Sequence, residues 1–192
     1  SSILQRYLNI PPRRFSEYSK VIASEFEFNN QKFVLPVVHL SSDKNKPLLF
    51  AAQRRAEQIN IILDYLKKRG DESVLIMGDF NFKDEAEVLN VPHNFVDIWQ
   101  QLNPADPGYT YDPLVNIMAA VTTTYGKKNR FDRFYLTAMS EWRPISCEFF
   151  AHQPFVATNN KDLLFISDHY GIKTVLMRAA SSEDRMVAVR PQ

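Results

Sequence analysis

The sequence has little cysteine, no long apolar run and no marked excess of charge of either sign. Its 192 residues include one cysteine, Cys147, which excludes an internal disulfide and is typical of a reducing compartment. No apolar run reaches the roughly 18 residues that span a bilayer, and no signal peptide opens the chain. Ser1 in place of a methionine indicates a processed or excised sequence. Together these features predict an intracellular protein, in the nucleus or the cytoplasm, that does not enter a membrane.

The charge balance does not by itself indicate a nucleic-acid binder. Lysine and arginine total 23 and aspartate and glutamate total 22, so the formal net charge is +1. This balance slightly favours a small or short substrate over a long nucleic acid. A hydrophobic fraction of 45% over this length is typical of one globular domain with a substantial core.

The pattern along the chain predicts an α+β fold in residues 19–178. Residues 1–18 are predicted to be irregular, because Pro11 and Pro12 break any helix there, and residues 179–192 are predicted to be a tail. Strands are predicted at residues 19–28, 32–40, 73–77, 130–136, 142–150 and 171–177. A long helix is predicted at residues 47–68, with short helices at 84–89 and 95–102.

Polar side chains collect at the ends of the predicted apolar strands. If these strands are neighbours in one core, their ends converge on one cleft, where ligand sites usually form. The residues concerned are His39 after VLPVV, Asp79 and Asn81 after VLIM, Asp132 within RFDRFYL, and Asp168 and His169 before GIKTVLM.

An aspartate and an asparagine in one turn suit the hydrolysis of a phosphodiester. The carboxylate of Asp79 can orient or deprotonate a water, and the amide of Asn81 can donate to a phosphoryl oxygen that gains charge. The histidine His169 can stabilise the transition state if a second carboxylate holds its tautomer. Asp168 points away from its own neighbour, whereas Asp132 can reach the ring from another strand.

Each of these features also has a purely structural interpretation. GDFN can be an ordinary turn, with Gly78 at a positive φ and two good turn formers after it. SDH can be a cap or a surface turn, His39 a structural histidine, and Asp132 a partner in a surface ion pair with its flanking arginines. The functional interpretation rests on the coincidence of several such features in one layout.

Several motifs along the chain resemble the endonuclease/exonuclease/phosphatase superfamily. GDFN, RFDRFYL and SDHYGI each adjoin an apolar strand, as in that superfamily, and VVHL is similar to its histidine strand. The loop YTYDPLVN is similar to the YTWD loop of the 5′-tyrosyl-DNA phosphodiesterase branch. The resemblance implies a DNase I-like fold, which is a four-layer α/β/β/α sandwich.

The resemblance also implies a role for each matching residue. Asp79 would position and activate the attacking water, and Asn81 would bind the scissile phosphate. His169, oriented by Asp132, would stabilise the phosphoryl oxygen in the transition state, and His39 would contact the same phosphate. Asp168 would lie at a Mg²⁺ ion, with Mn²⁺ as an alternative. The implied substrate-binding residues are Tyr111, Asn116, Phe131 and Lys83, where Tyr111 and Phe131 are candidates for stacking on a terminal base.

The chain departs from the family pattern in its metal ligands. No segment matches the early strands that supply an asparagine or aspartate and then the main glutamate ligand, and Glu25 and Glu27 lie on a different strand. The sequence therefore predicts only the C-terminal half to two-thirds of the domain, with exposed sheet surfaces, weak metal binding and little activity on its own. Lys83 stands where the branch has an arginine, which keeps the charge but not a bidentate phosphate contact.

The predicted function is a Mg²⁺-dependent phosphodiesterase that acts on nucleic-acid ends. Two alternatives stay open: a phosphatase or deadenylase-type exonuclease of the same fold, and a non-catalytic binding module. The predicted partners are a nucleic acid or a phosphorylated small molecule, together with the rest of the domain or another chain.

Overall fold

The computed structural model describes residues 4–8, 20–28, 31–43, 48–70, 73–123, 126–157 and 163–178. Their fold is α+β, which confirms the predicted class. The strands are β1 (Leu4–Leu8), β2 (Lys20–Phe28), β3 (Gln31–His39), β4 (Leu75–Asp79), β5 (Phe95–Asp97), β6 (Asp132–Thr137), β7 (Trp142–Phe150), β8 (Val156–Ala157), β9 (Leu163–Leu164) and β10 (Gly171–Arg178). The helices are α1 (Leu48–Arg69), α2 (Ile98–Leu102) and α3 (Ile117–Thr122), together with a 3₁₀ helix at Glu85–Asn90.

The main sheet has six strands in the order β1-β2-β3-β4-β6-β5. The pair β3–β4 is parallel and the other neighbours are antiparallel, so the ends of β3 and β4 meet the start of β6. The register pairs His39 with Asp79, and Asp79 with Asp132. Three residues that lie far apart in sequence therefore stand in one row across the sheet.

The helix α1 covers one face of this sheet. Ile59, Ile62 and Leu66 form one buried cluster with side chains of β3 and β4, as the 3–4-residue apolar spacing predicts. The helix ends in Lys67, Lys68 and Arg69 and is followed by Gly70 at φ +69°. Within the described part of the chain, no helix has the length and apolar character needed to cross a membrane.

The other face of the main sheet packs against the antiparallel pair β7–β10 and against α2. Leu75, Phe134 and Leu136 of the main sheet share a buried cluster with Trp99 of α2 and Cys147 of β7. The described residues thus form three successive layers, which are α1, the main sheet and β7–β10. This order agrees with three layers of the predicted four-layer sandwich.

The outer face of β7–β10 carries exposed apolar side chains. Ile145, Val175 and Met177 are each more than one third exposed. Among the described residues β7 and β10 form a sheet of only two strands, so each strand has one edge without a neighbour there. Exposed apolar surface and unpaired strand edges are what the sequence predicts for a partial domain.

Two segments differ from the predicted elements at the edges of the main sheet. Leu4–Leu8 lies in the segment predicted to be irregular, yet it forms β1 against β2. Its sequence LQRYL has no clear alternation, so its pairing depends on the free edge of β2 and not on its own pattern. Phe95–Asp97, predicted as the start of a helix, instead pairs with β6 as β5. The predicted tail at residues 179–192 lies outside the described residues.

We expect the substitution Gly78→Ala to destabilise the protein strongly. Gly78 has φ +126°, and a Cβ there would lie 2.1 Å from the carbonyl oxygen of Val38 in the neighbouring strand. The clash and the backbone strain together should lower the free energy of unfolding by about 3 kcal/mol or more. Gly126→Ala is the control, because Gly126 also has a positive φ but open space around it. Chemical denaturation measures both, and equal losses would contradict the close-contact argument.

We also expect Cys147 to react slowly with alkylating reagents in the folded protein. Burial, with a smaller contribution from Asp97, raises the pKa of the Cys147 thiol to about 11. Because the thiolate is the nucleophile, alkylation at pH 8 should be on the order of 100-fold slower than in the denatured chain. Mass spectrometry over a time course gives both rates, and similar rates would mean that β7 does not pack on the main sheet as described.

Candidate active site

His39 and Asp79 of the row across the main sheet line a cavity of about 190 Å³. His169 and Asp168, which precede β10, reach the same cavity from the second sheet. Eight of the ten predicted site residues line it: His39, Asp79, Asn81, Lys83, Tyr111, Phe131, Asp168 and His169. The other two, Asp132 and Asn116, lie behind these residues.

Asp79 is held by the turn that follows β4. The backbone N–H of Asn81 donates to Asp79 Oδ1 at 2.8 Å, and the Asn81 amide donates to Asp79 Oδ2 at 3.1 Å and to the Leu40 carbonyl at 3.0 Å. Asn81 adopts φ +53°, a conformation that asparagine tolerates better than most residues. The turn interpretation of GDFN is thus correct as local structure, and the same turn presents a carboxylate to the cavity.

His169 and Asp132 form the pair that the sequence predicts. His169 Nδ1 lies 2.7 Å from Asp132 Oδ2, which leaves Nε2 as the ring nitrogen available to a molecule in the cavity. Asp132 does not pair with its flanking arginines, because Arg130 and Arg133 instead bond to Asp97 at the end of β5. The surface ion pair considered for Asp132 is therefore not formed.

The charged groups shift one another's pKa values. Burial, and then the charge of Asp132, raises the pKa of Asp79 to about 6. Burial alone would lower the pKa of His169, but the hydrogen bond and charge of Asp132, with Asp79 and Asp168, raise it to about 9. His39 is more open to solvent, with its side chain 54% exposed and Nε2 3.7 Å from Asp79 Oδ2. The site thus holds two neighbouring carboxylates against two imidazoles.

Two aromatic rings flank His169. The ring centroids of Tyr111 and Phe131 lie 5.3 and 5.7 Å from that of His169, and both rings are more than nine-tenths buried. The ammonium of Lys83 lies 4.2 Å from the centroid of Phe131, and burial lowers the pKa of Lys83. One face of Phe131 is therefore covered by a cation, which limits the ring surface that either residue offers to a base.

The loop at residues 109–116 ties the two sheets together through Thr110, for which the sequence predicted no role. Thr110 Oγ1 accepts hydrogen bonds from the backbone N–H groups of Phe131 and Asp132, and its carbonyl accepts from Tyr170. Asn116 is 0% exposed and donates to the Ser167 carbonyl at 2.8 Å, so it holds the SDH turn from behind the cavity. Its predicted contact with substrate stays a prediction.

Asp168, the predicted metal ligand, is bonded to two hydroxyl groups. Thr122 Oγ1 lies 3.1 Å from Asp168 Oδ2, and Ser167 Oγ lies 3.3 Å from Oδ1. Across the described ranges, no three histidine, cysteine, aspartate or glutamate side chains are grouped so that they could hold a metal ion. Because Mg²⁺ is often bound by only one or two carboxylates together with waters, the role of Asp168 at a metal stays a prediction.

A second cavity of about 440 Å³ adjoins the first, and Lys83 and Asn129 line both. Its wall includes Arg130 and Arg133, which share the single carboxylate of Asp97. The candidate site therefore opens towards a larger and partly cationic groove.

Comparison with known proteins gives one curated relative. No family model matches the chain. Tyrosyl-DNA phosphodiesterase 2 from Danio rerio is 30% identical over 158 residues, which are 79% of this chain and 40% of that protein. The chain thus spans less than half the length of the curated relative that it matches.

Solved structures show the same likeness in three dimensions. The crystal structure of D. rerio TDP2 complexed with a single-strand DNA product is 26% identical at a TM-score of 0.69, over 91% of this chain and 68% of that one. Staphylococcus aureus beta toxin is 26% identical at a TM-score of 0.64, over 82% of this chain and 57% of that one. A Bacteroides thetaiotaomicron mannosyl-6-phosphatase shares the fold, with 12% identity and a TM-score of 0.61 over 92% of this chain and 66% of that one.

We expect this chain to bind Mg²⁺ weakly, with a dissociation constant on the order of 1 mM or weaker, because Mg²⁺ requires several well-placed oxygen ligands. Calorimetric titration with MgCl₂ measures the constant, and Asp168→Asn should remove the remaining heat if Asp168 is a ligand. Asp106→Asn, which alters a carboxylate outside the first cavity, is the matched control. Micromolar binding by the unaltered chain would contradict this expectation.

Proposed function

We propose a function for this chain as part of a domain of the endonuclease/exonuclease/phosphatase superfamily, whose tyrosyl-DNA phosphodiesterase branch it resembles in sequence and in fold. The proposed activity is the hydrolysis of phosphodiester bonds at nucleic-acid ends. The observation that carries it is the row of His39, Asp79 and Asp132, with His169 bonded to Asp132 from the second sheet. A relative bound to a single-strand DNA product supports a nucleic-acid substrate.

In the proposed reaction Asp79 orients the attacking water and accepts its proton. The turn at Asn81 holds this carboxylate at the end of β4 with two hydrogen bonds. Both amide hydrogens of Asn81 are used, one by Asp79 and one by Leu40. Asn81 must therefore release one of these acceptors before it can donate to a phosphoryl oxygen.

His169 stabilises the charge that develops on the phosphoryl oxygens. Its Nδ1 is fixed on Asp132, so Nε2 can donate to an oxygen of a phosphate in the cavity. His39 reaches the same phosphate from the end of β3, and Lys83 supplies a positive charge at the border with the larger groove. Tyr111 and Phe131 enclose the ring of His169, and a terminal base would contact only their exposed edges.

Mg²⁺, or Mn²⁺ in its place, enters this proposal through the family resemblance and would polarise the phosphate and stabilise the leaving oxygen. Because the described residues do not assemble a three-ligand site, the steps above use only side chains of this chain. We propose an intracellular location, in the nucleus or the cytoplasm. Further proposed partners are a segment or chain that completes the domain.

The alternative functions differ from the proposed one either in their substrate or in that they involve no catalysis. A phosphatase, or a deadenylase-type exonuclease, would use the same cavity on another phosphate ester, and the near-neutral net charge favours a short substrate. A non-catalytic module would bind a phosphorylated ligand without turnover, which the lack of a three-ligand metal group in the described ranges favours. Comparing oligonucleotides with and without a 5′-tyrosyl adduct, together with a small phosphate ester, separates these functions.

We expect Asp79→Asn to lower turnover of a 5′-tyrosyl oligonucleotide by about 10²- to 10⁴-fold, because the amide cannot accept the proton of water. The rate is measured on the full-length gene product with Mg²⁺, and circular dichroism checks that the variant folds. Asp64→Asn is the control, since Asp64 is an exposed aspartate of α1. Full activity of Asp79→Asn would refute the proposed role.

A further inference from the structure

One arginine outside the cavity joins two segments that carry residues of the cavity wall. Arg55 lies on α1 and is 1% exposed. Its Nε and Nη2 donate to the two carboxylate oxygens of Glu87 at 2.7 and 2.9 Å, and its Nη1 donates to the Ser41 carbonyl at 2.9 Å and to Asp43 Oδ1. A planar guanidinium can make these contacts at once, whereas the single ammonium of a lysine cannot.

The first segment held by Arg55 is the one that follows His39. Asp43 lines the cavity, and its Oδ2 is buried without a hydrogen-bond partner among the described residues. Gln58, one turn beyond Arg55, accepts a hydrogen bond from the backbone N–H of Ser41 and donates one to the Ser41 hydroxyl. The position of the chain beyond His39 is therefore set by α1.

The second segment carries Lys83. Glu87 Oε1, which accepts from Arg55, also accepts the backbone N–H of Lys83 at 2.9 Å. After burial, the charge of Asp43 has the largest effect on the pKa of Lys83, and the charge of Arg55 comes next. Lys83 is thus linked to Arg55 through a shared carboxylate and through the field of the buried cluster.

We infer that Arg55 is a positioning residue for phosphate binding, which it supports by fixing the segments of Asp43 and Lys83 at the cavity. This inference rests on the proposed function, because it assumes that a phosphate group occupies the cavity. Arg55 itself does not line that cavity. A purely structural arginine would change stability and leave the affinity of the folded protein for phosphate unchanged.

The test is a double-mutant cycle between Arg55→Lys and Lys83→Met in the full-length gene product. Binding of a 5′-phosphorylated oligonucleotide is measured by fluorescence anisotropy, and KM and kcat are measured separately on the tyrosyl substrate. Arg55→Lys should weaken binding and raise KM about tenfold, with kcat changed less than about threefold. In the Lys83→Met background the same change should weaken binding by less than about twofold.

Arg69→Lys is the matched control, since Arg69 lies on the same helix and pairs with Glu25, away from the cavity. It should leave binding and KM unchanged. If Arg55→Lys does not fold, Glu87→Gln replaces it, because it weakens the Arg55 contact and keeps an oxygen for the Lys83 N–H. The same dependence on Lys83 is expected for that variant.

The positioning role would be overturned if the losses of binding free energy in Arg55→Lys and Lys83→Met add fully in the double variant. An equal loss of binding in Arg69→Lys would overturn it too. Absence of binding by the unaltered protein would overturn it as well. If the unaltered protein binds the oligonucleotide with the expected coupling but does not hydrolyse the tyrosyl substrate, the phosphodiesterase proposal fails and the positioning role stands.

Discussion

The register between β3, β4 and β6 places His39, Asp79 and Asp132 side by side, and the rest of the site is arranged around that row. The register depends on the close approach of β4 to β3, where Gly78 leaves room for the Val38 carbonyl. A shift of one residue would turn each of these side chains to the opposite face of the sheet. The hydrophobic packing of α1 on one face and of β7–β10 on the other therefore fixes the chemistry as well as the fold.

The second sheet contributes through contacts that are distant in sequence. His169 reaches Asp132 because the loop at residues 109–116 contacts both sheets. Thr110 of this loop bonds to the backbone at Asp132 and at Tyr170. Asn116 then fixes the turn before His169 from the interior. These bonds satisfy buried polar groups that would otherwise be costly, so the loop stabilises the packing and orients the histidine at the same time.

The sequence was sufficient to predict the long helix, most of the strands and the grouping of polar strand ends, because apolar periodicity and turn residues are local signals. It did not predict β1 or α3, whose formation depends on a free strand edge and on the Asn116 side chain. It gave no indication of the Arg55 cluster, since an arginine within an amphipathic helix normally faces solvent. Contacts made between segments far apart in sequence leave no periodic signal.

The pairing of Asp79 with Asp132 argues against a purely structural interpretation of the row. Two carboxylates directly opposite each other on neighbouring strands repel, and burial increases the cost. Burial, and then the charge of Asp132, raises the pKa of Asp79 accordingly. The chain offsets the repulsion with His169 on Asp132, and with Asn81 and His39 at Asp79. A turn or a cap would not need this arrangement, whereas the proposed hydrolysis needs a proton acceptor and a charged donor on either side of a phosphate.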